Sequence, residues 1–203
     1  LLTKGHAHTR QKAQVLIRAG KVRDMFGQLL DKPGQEVAID LEVKVEAPSR
    51  FVSRGGEKLL AALQVFPLDV KDKVCLDGGI STGGFTDCLL QHGAKRVYGI
   101  DVGYGQTAWS IRQDPRVVLK ERTNLRTLAS EDLYKPLDPF PTIAVADLSF
   151  ISLNIVLPSI IRLLKEEGGD AILLVKPQFE VGRSRVGKGG IVRDPSAHKY
   201  ALE

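Results

Sequence analysis

Cysteine is nearly absent. Cys75 and Cys88 are the only two in 203 residues, too few for the disulfide framework of a small secreted domain. Both lie in apolar surroundings and read as buried free thiols, which fits a reducing, cytoplasmic setting. Methionine and tryptophan occur once each, and aromatics make up only 6% of the chain. No apolar run is longer than that of Ala171 to Val175, far short of the roughly 20 residues that span a bilayer. A membrane helix is therefore not expected, and no signal peptide is legible. The four histidines, His6, His8, His92 and His198, lack the spacing of metal ligands, so no metal is expected. The chain does not begin with Met, and so reads as a fragment or a processed form.

Acidic residues are missing from two tracts. Between Leu1 and Arg23 stand Lys4, Arg10, Lys12, Arg18, Lys21 and Arg23 with no Asp or Glu, and between Val181 and Arg193 stand Arg183, Arg185, Lys188 and Arg193, again with none. The net charge is +5. Two separate basic tracts suit a polyanion held at more than one point, and Arg10, Lys12, Arg18, Lys21, Arg183, Arg185 and Lys188 are the expected RNA contacts. A hydrophobic fraction of 43% is ample for a packed core.

Two segments differ in pattern. In residues 1–46, Ala13, Leu16 and Ile17 recur at helical spacing between a capping Thr9 and a terminating Gly20. After the Lys32-Pro33-Gly34 turn, Val37, Ile39, Leu41, Val43 and Val45 alternate as in a half-buried strand. This is a small α+β module, joined through Ala47-Pro48-Ser49 to a domain over 51–203. That domain alternates strands near 74–77, 97–101, 116–119, 143–147 and 171–175 with helices near 84–92, 105–112 and 153–165. A preceding helix is capped by Ser53 and stopped near Phe66 by Pro67. The strands are apolar on both faces, as a helix-covered parallel sheet requires, so the fold class is α/β, a doubly wound, mostly parallel Rossmann-like sheet.

Four of these apolar runs end on a charge: VCLD at Asp77, YGID at Asp101, AVAD at Asp147 and LLVK at Lys176. In such a sheet the strands' carboxyl ends share one ligand-binding crevice. The loop after the first run, Asp77 to Phe85, lacks the glycine spacing of a dinucleotide fingerprint. It fits instead acid-x-Gly-x-small-x-Gly, filled by Asp77, Gly79, Ser81 and Gly83. An acid there repels a pyrophosphate but suits the ammonium and sulfonium of S-adenosylmethionine, and Asp101 stands where a carboxylate can accept both ribose hydroxyls. Asp147 and Lys176 close neighbouring strands and can both face the transferred methyl. The turn Asp147-Leu148-Ser149-Phe150 has neither the prolines usual in adenine N-methyltransferases nor the cysteine that cytosine-carbon methylation needs. A Lys and an Asp together suit a hydroxyl acceptor, whose proton Lys176 removes or steers.

Several motifs carry a further reading: RGGEK at Arg54–Lys58, DGGISTGGFTDCLL, YGIDVGYGQ, KERTNLR, ADLSFISL, LVKPQFEVGR and VGKGGIVRDP. In these the chain resembles the TlyA/hemolysin A family. The resemblance implies a ribosomal RNA 2′-O-ribose methyltransferase with an FtsJ-like (RrmJ) catalytic domain over 51–203 and an N-terminal S-four-type RNA-binding module over 1–46. It implies a Lys-Asp-Lys-Glu tetrad in which Lys58, Asp147 and Lys176 match the first three members. It places Gly83, Phe85 and Asp101 at cofactor-contacting positions and Asn124 near the adenine. Asp77, Gly79, Ser81, Thr82 and Asp147 complete the cofactor set. The partners implied are ribosomal RNA or ribosomal subunits.

Two departures stand out. The family's tetrad Glu lies on a late strand beyond Glu203, together with the last strands of the usual sheet, so neither Glu180 nor Glu203 is given that role. The module's usual Val-Asn-Gly turn is replaced by Arg23-Asp24-Met25-Phe26-Gly27. A non-enzymatic RNA- or ribosome-binding protein is the competing reading, and a membrane-acting haemolysin a more distant one. If the module carries RNA contacts, deleting residues 1–46 should weaken RNA binding in a filter assay several-fold more than it weakens adenosylmethionine binding. Equal losses would count against that division of labour.

Overall fold

The computed structural model describes residues 1–46 and 49–203, and the chain divides into two units, Leu1–Ser49 and Arg50–Glu203. Of the expected linker, Ala47 and Pro48 lie outside the described residues.

In the first unit, helix α1 (Arg10–Arg18) starts where Thr9 accepts a hydrogen bond from the Lys12 amide at 3.1 Å. It ends at Gly20, whose φ of +66° is the left-handed stop that glycine adopts without strain. Strand β1 (Val22–Asp24) pairs antiparallel with β2 (Val43–Val45). The strand expected over 37–45 is thus reduced to its last three residues. Val22–Asp24 pairs with Val43–Val45 on one edge and bridges to Leu29 from Arg23 on the other, so among the described residues no strand pairs with residues 37–42. Residues 38–41 turn instead, and Ile39 is 99% exposed. The core of this unit is slight: Ala7, Ala13 and Val22 are its buried apolar side chains among the described residues.

The second unit is built on five parallel strands: β3 (Val74–Gly78), β4 (Arg96–Ile100), β5 (Val117–Lys120), β6 (Ile143–Ala146) and β7 (Asp170–Leu173), in the order β5-β4-β3-β6-β7. The chain leaves β3 toward β4 on one side and returns to β6 on the other, which makes the carboxyl end of β3 the topological switch point. Side-chain alternation builds a core on each face. Cys75, Val97, Ile143 and Val145 point into one, and Val74, Leu76, Tyr98, Ile100, Ala144 and Ala146 into the other. The first core is covered by α2 (Gly55–Val65) and α3 (Gly84–Gln91), the second by α6 (Leu153–Leu163). Full burial of a Leu such as Leu59, Leu76 or Leu163 contributes about 1.5–3 kcal/mol each, so these layers anchor the sheet edge that carries the charged residues.

Several elements differ from the expectation. Helix α2 begins at Gly55 behind a helical Arg54, and Ser53 accepts only a 3.3 Å hydrogen bond from the Gly55 amide. The helix expected over 105–112 shrinks to α4 (Trp109–Arg112), because Gly105 takes φ +72° and its amide is drawn to Glu121 at 2.7 Å. Three short helices were not anticipated: α5 (Ser130–Leu133), α7 (Pro177–Glu180) and α8 (Pro195–Tyr200). At four to six residues they are too brief for apolar periodicity to register. Strand β7 ends at Leu173, so Lys176 does not close a strand; it sits three residues on, at the start of α7. Among the described residues no helix is long and apolar enough to cross a membrane.

Helices α2 and α3 meet through glycine. A Cβ on Gly84 would stand 2.8 Å from the Gly56 amide nitrogen and 3.2 Å from the Gly55 Cα, closer than backbone can yield. Gly84→Ala should therefore force the helices apart at a cost of about 1–3 kcal/mol, read as a lowered melting temperature. An unchanged melting temperature would show that the seam tolerates a methyl group.

Candidate active site

The switch point opens into a cavity of about 970 Å³, at the upper end for a small-ligand site. Its floor is the β3–α3 turn. Gly79 takes φ +81°, and a Cβ there would stand 2.9 Å from Leu148 Cδ2, so the backbone lies close against the β6 side of the crevice. The Gly79 and Ile80 amides donate to the Ile100 carbonyl at 2.8 and 3.1 Å, which fastens the turn to the end of β4. Ser81, at φ +48°, donates its amide to Asp101 Oδ2 at 2.7 Å. The Gly103 amide donates to Asp101 Oδ1 at the same distance. Asp101 is thus oriented through both oxygens, and each oxygen keeps a lone pair free.

Of the expected cofactor residues, Gly79, Ser81 and Thr82 line the cavity from the first loop and Phe85 from the start of α3. Asp101, Asn124 and Asp147 line it from the loops after β4, β5 and β6. Asp77 and Gly83 do not line it. Gly83, at φ +96°, serves the turn as the residue before α3. Asp77 shares the Cys75 side of β3 and points under the loop toward α3, where it is 1% exposed and its Oδ2 accepts from Thr86 Oγ1 at 2.6 Å. Its Oδ1 has no hydrogen-bond partner. Burial pushes this carboxyl up to about 7 in spite of the Thr86 hydrogen bonds, and the charges of Asp147 and Asp101 add to the rise.

Lys58, Asp147 and Lys176 meet on the cavity wall. Lys58, one turn into α2, places Nζ 2.8 Å from Asp147 Oδ2. Lys176 Nζ stands 2.6 Å from Asp147 Oδ1 and donates a hydrogen bond to Ser149 Oγ at 2.7 Å. Burial alone would raise the Asp147 carboxyl, but Lys176 and Lys58 outweigh it and hold it below the usual carboxylate range. The three residues matched to the tetrad are thus brought together on one wall.

Sequence patterns assign Ser149 and Phe150 no role of their own and leave Glu180 outside the tetrad, although all three stand inside the family motifs. Phe150 is 91% exposed at φ +66°, with its ring centroid 5.3 Å from that of Phe179. Glu180 accepts from Ser152 Oγ at 2.6 Å and from the Leu153 amide at 3.0 Å, so it caps α6. Both of its carboxylate oxygens are engaged by these contacts.

The expected RNA contacts fall on both units. Arg10, Lys12 and Arg18 are exposed on α1, whereas Lys21 is paired with Glu46 at 3.2 Å. Arg183, Arg185 and Lys188 are exposed on two short 3₁₀ turns, and Arg185 lies over the Tyr200 ring at 4.4 Å. Among the described residues no group of His, Cys, Asp and Glu could hold a metal ion.

Comparison with known proteins agrees with this geometry. The FtsJ-like methyltransferase family matches residues 51–203. YqxC of Bacillus subtilis is 52% identical over 204 aligned residues, covering 100% of this chain and 71% of its own. The 16S/23S rRNA (cytidine-2′-O)-methyltransferase TlyA of Mycobacterium tuberculosis is 49% identical over 96% of this chain and 71% of its own. A solved structure from Streptococcus thermophilus bearing the hemolysin name is 44% identical, with a TM-score of 0.74 over 98% of this chain and 72% of that one.

The buried Asp77 makes a pH prediction. Its folded pKa of about 7 lies above the unfolded value near 3.8. Between those pH values the folded chain holds a proton that the unfolded chain has lost, so stability falls as pH rises through the window. In cofactor-free protein, Asp77→Asn should melt above the wild type at pH 8, with the gap closing toward pH 4. A gap independent of pH would mean that Asp77 titrates as an ordinary carboxylate.

Proposed function

The chain belongs to the FtsJ-like methyltransferase family, and from that premise we propose that it transfers a methyl group from S-adenosylmethionine to ribose 2′-hydroxyls of ribosomal RNA. The observation that carries the reading is the convergence of Lys58 and Lys176 on Asp147, on the wall of a cavity whose other side is the Asp101 carboxylate. The 49% identity to TlyA, named for cytidine 2′-O-methylation of 16S and 23S rRNA, supports the substrate class.

The residues present fit S-adenosylmethionine. Asp101 keeps acceptor capacity for two ribose hydroxyls, and Asn124 stands on the loop after β5 in position to meet an adenine. The turn at Gly79, where a Cβ would collide with Leu148, leaves the backbone open to a ligand. The unpartnered Oδ1 of Asp77 is a buried acceptor behind that turn. When bound, the cofactor supplies an electrophilic methyl group on a positively charged sulfur.

The protein's own part is to hold the acceptor and manage its proton. Asp147, kept ionised by its two lysines, is a poor base, and it fixes both lysine nitrogens on the cavity wall. Lys176 Nζ either accepts the proton of the incoming 2′-hydroxyl as a neutral amine, becoming an ammonium paired with Asp147, or as an ammonium orients the hydroxyl oxygen while the proton leaves late to water. Positioning carries much of the rate, because in-line attack requires approach at about 3 Å. Arg10, Lys12 and Arg18 on α1, with Arg183, Arg185 and Lys188, hold the RNA through its phosphates, which sets register without reading base identity. A ribosomal substrate supports a cytoplasmic location.

Mapping 2′-O-methylation on ribosomal RNA incubated with protein and cofactor tests the reading: a new methyl at a defined ribose is expected, and an unchanged map would sink it. Lys176→Ala should lower the methyl-transfer rate by about 10²–10⁴-fold, while adenosylmethionine affinity by calorimetry stays within a few-fold. Normal turnover by this variant would remove Lys176 from the proton's path.

A further inference from the structure

Lys176 touches two groups of the β6–α6 loop, and the two contacts differ in kind. Its Nζ is 2.6 Å from Asp147 Oδ1, yet that buried oxygen receives no hydrogen bond of acceptable angle; the properly directed bond on Asp147 comes from Lys58, at Oδ2. The well-formed hydrogen bond of Lys176 runs to Ser149 Oγ at 2.7 Å. Charge attraction is nearly indifferent to angle, whereas a hydrogen bond weakens steeply off-axis.

We propose that Ser149 is a positioning residue that sets the direction of the Lys176 amine, while Asp147 supplies the opposing charge. The inference rests on the methyl-transfer reading above. A tetrahedral nitrogen has four directions. One holds Cε and one is fixed by Ser149, while the Asp147 charge pulls on the nitrogen off these axes and leaves the remaining directions for an acceptor hydroxyl. Without the Ser149 bond the nitrogen can pivot about the ion contact. A hydroxyl is also suited to the task because it accepts and donates. It can hold Lys176 whether the nitrogen carries the extra proton or has passed it on, whereas an ionised Asp147 can only accept.

The surrounding loop is built to aim this side chain. Phe150, the next residue, is held at φ +66°, a left-handed conformation that is uncommon for a residue with a Cβ. Its ring packs on Phe179, three residues beyond Lys176. Glu180 then clamps Ser152 Oγ and the Leu153 amide. The loop after β6 and the start of α7 are thus fastened at three successive points, of which Ser149–Lys176 is the one on the cavity wall.

The test compares steady-state methylation of ribosomal RNA by the full chain and three variants. Ser149→Ala should lower kcat about 10- to 100-fold, with KM for RNA and the adenosylmethionine Kd each within about threefold of wild type. Ser149→Thr restores the hydroxyl at this exposed position and should recover kcat to within a few-fold. Ser149→Cys keeps the volume but offers only a weak acceptor, and should be as slow as the alanine variant. A Ser149→Ala kcat within twofold of wild type would overturn the proposal, and so would a threonine variant as slow as alanine. Absence of methyl transfer by the wild type would instead overturn the functional reading on which it rests.

Discussion

One carboxylate organises the site. Asp147 is the first residue after β6, and it receives ammonium groups from two directions: Lys58 on α2 and Lys176 beyond β7. Two lysines brought to one cavity wall would repel each other; a shared anion turns that repulsion into a fixed geometry. The arrangement requires β6 to lie beside β3, so that α2 can overhang it from the face, and β7 to lie beside β6, so that the loop carrying Lys176 returns to the same edge. Asp147 is only 19% exposed, so solvent screens these contacts less than it would a surface pair. The sheet order and the chemistry are therefore two aspects of one constraint.

A second linkage ties that anion to the ligand loop. Lys58 rides on α2, and α2 rests on the first turn of α3 through Gly55, Gly56 and Gly84. The same end of α3 closes the Gly79–Gly83 turn that floors the cavity. Glycine on both sides of the seam lets the helices approach to backbone contact. The height of Lys58 above Asp147 is then set by the same packing that shapes the loop. Bulk at the seam would displace the ligand turn and one of the two cations together.

The sheet was legible because β3, β4 and β6 are apolar runs with an acid at or just after their ends, and their burial on both faces leaves little ambiguity of type. The site followed from topology: Asp101 and Asp147 stand immediately after their strands, and the doubly wound order brings those ends together. What escaped the sequence has identifiable causes. Asp77 looks like its neighbours as a strand-end acid, yet it is the last-but-one residue of β3, and the two-residue alternation turns it under the loop instead of into the cavity. The 37–45 strand shows correct alternation but finds only three residues to pair with. Ser149 and Glu180 matter through side-chain contacts across 27 or 28 residues, a separation at which no local pattern speaks.

The identity of the acceptor atom follows from which group on the wall can change its protonation. Asp147 is held ionised by two lysines and stays an acceptor throughout, so it cannot readily take a proton from the substrate. Asp101 is engaged through both oxygens by backbone amides on the far side of the cavity. Lys58 and Lys176 remain, and of the two it is Lys176 that is bonded to a hydroxyl, Ser149 Oγ, able both to accept and to donate. An amine acceptor would need backbone carbonyls or a side-chain amide aimed at its N–H groups, and the cavity wall presents Ser149 of this turn and Lys176 from beyond β7. A hydroxyl nucleophile needs the opposite provision: a nitrogen fixed in direction, next to a permanent negative charge that tolerates a second cation. The wall provides that combination, which is why a ribose oxygen fits it better than a base nitrogen.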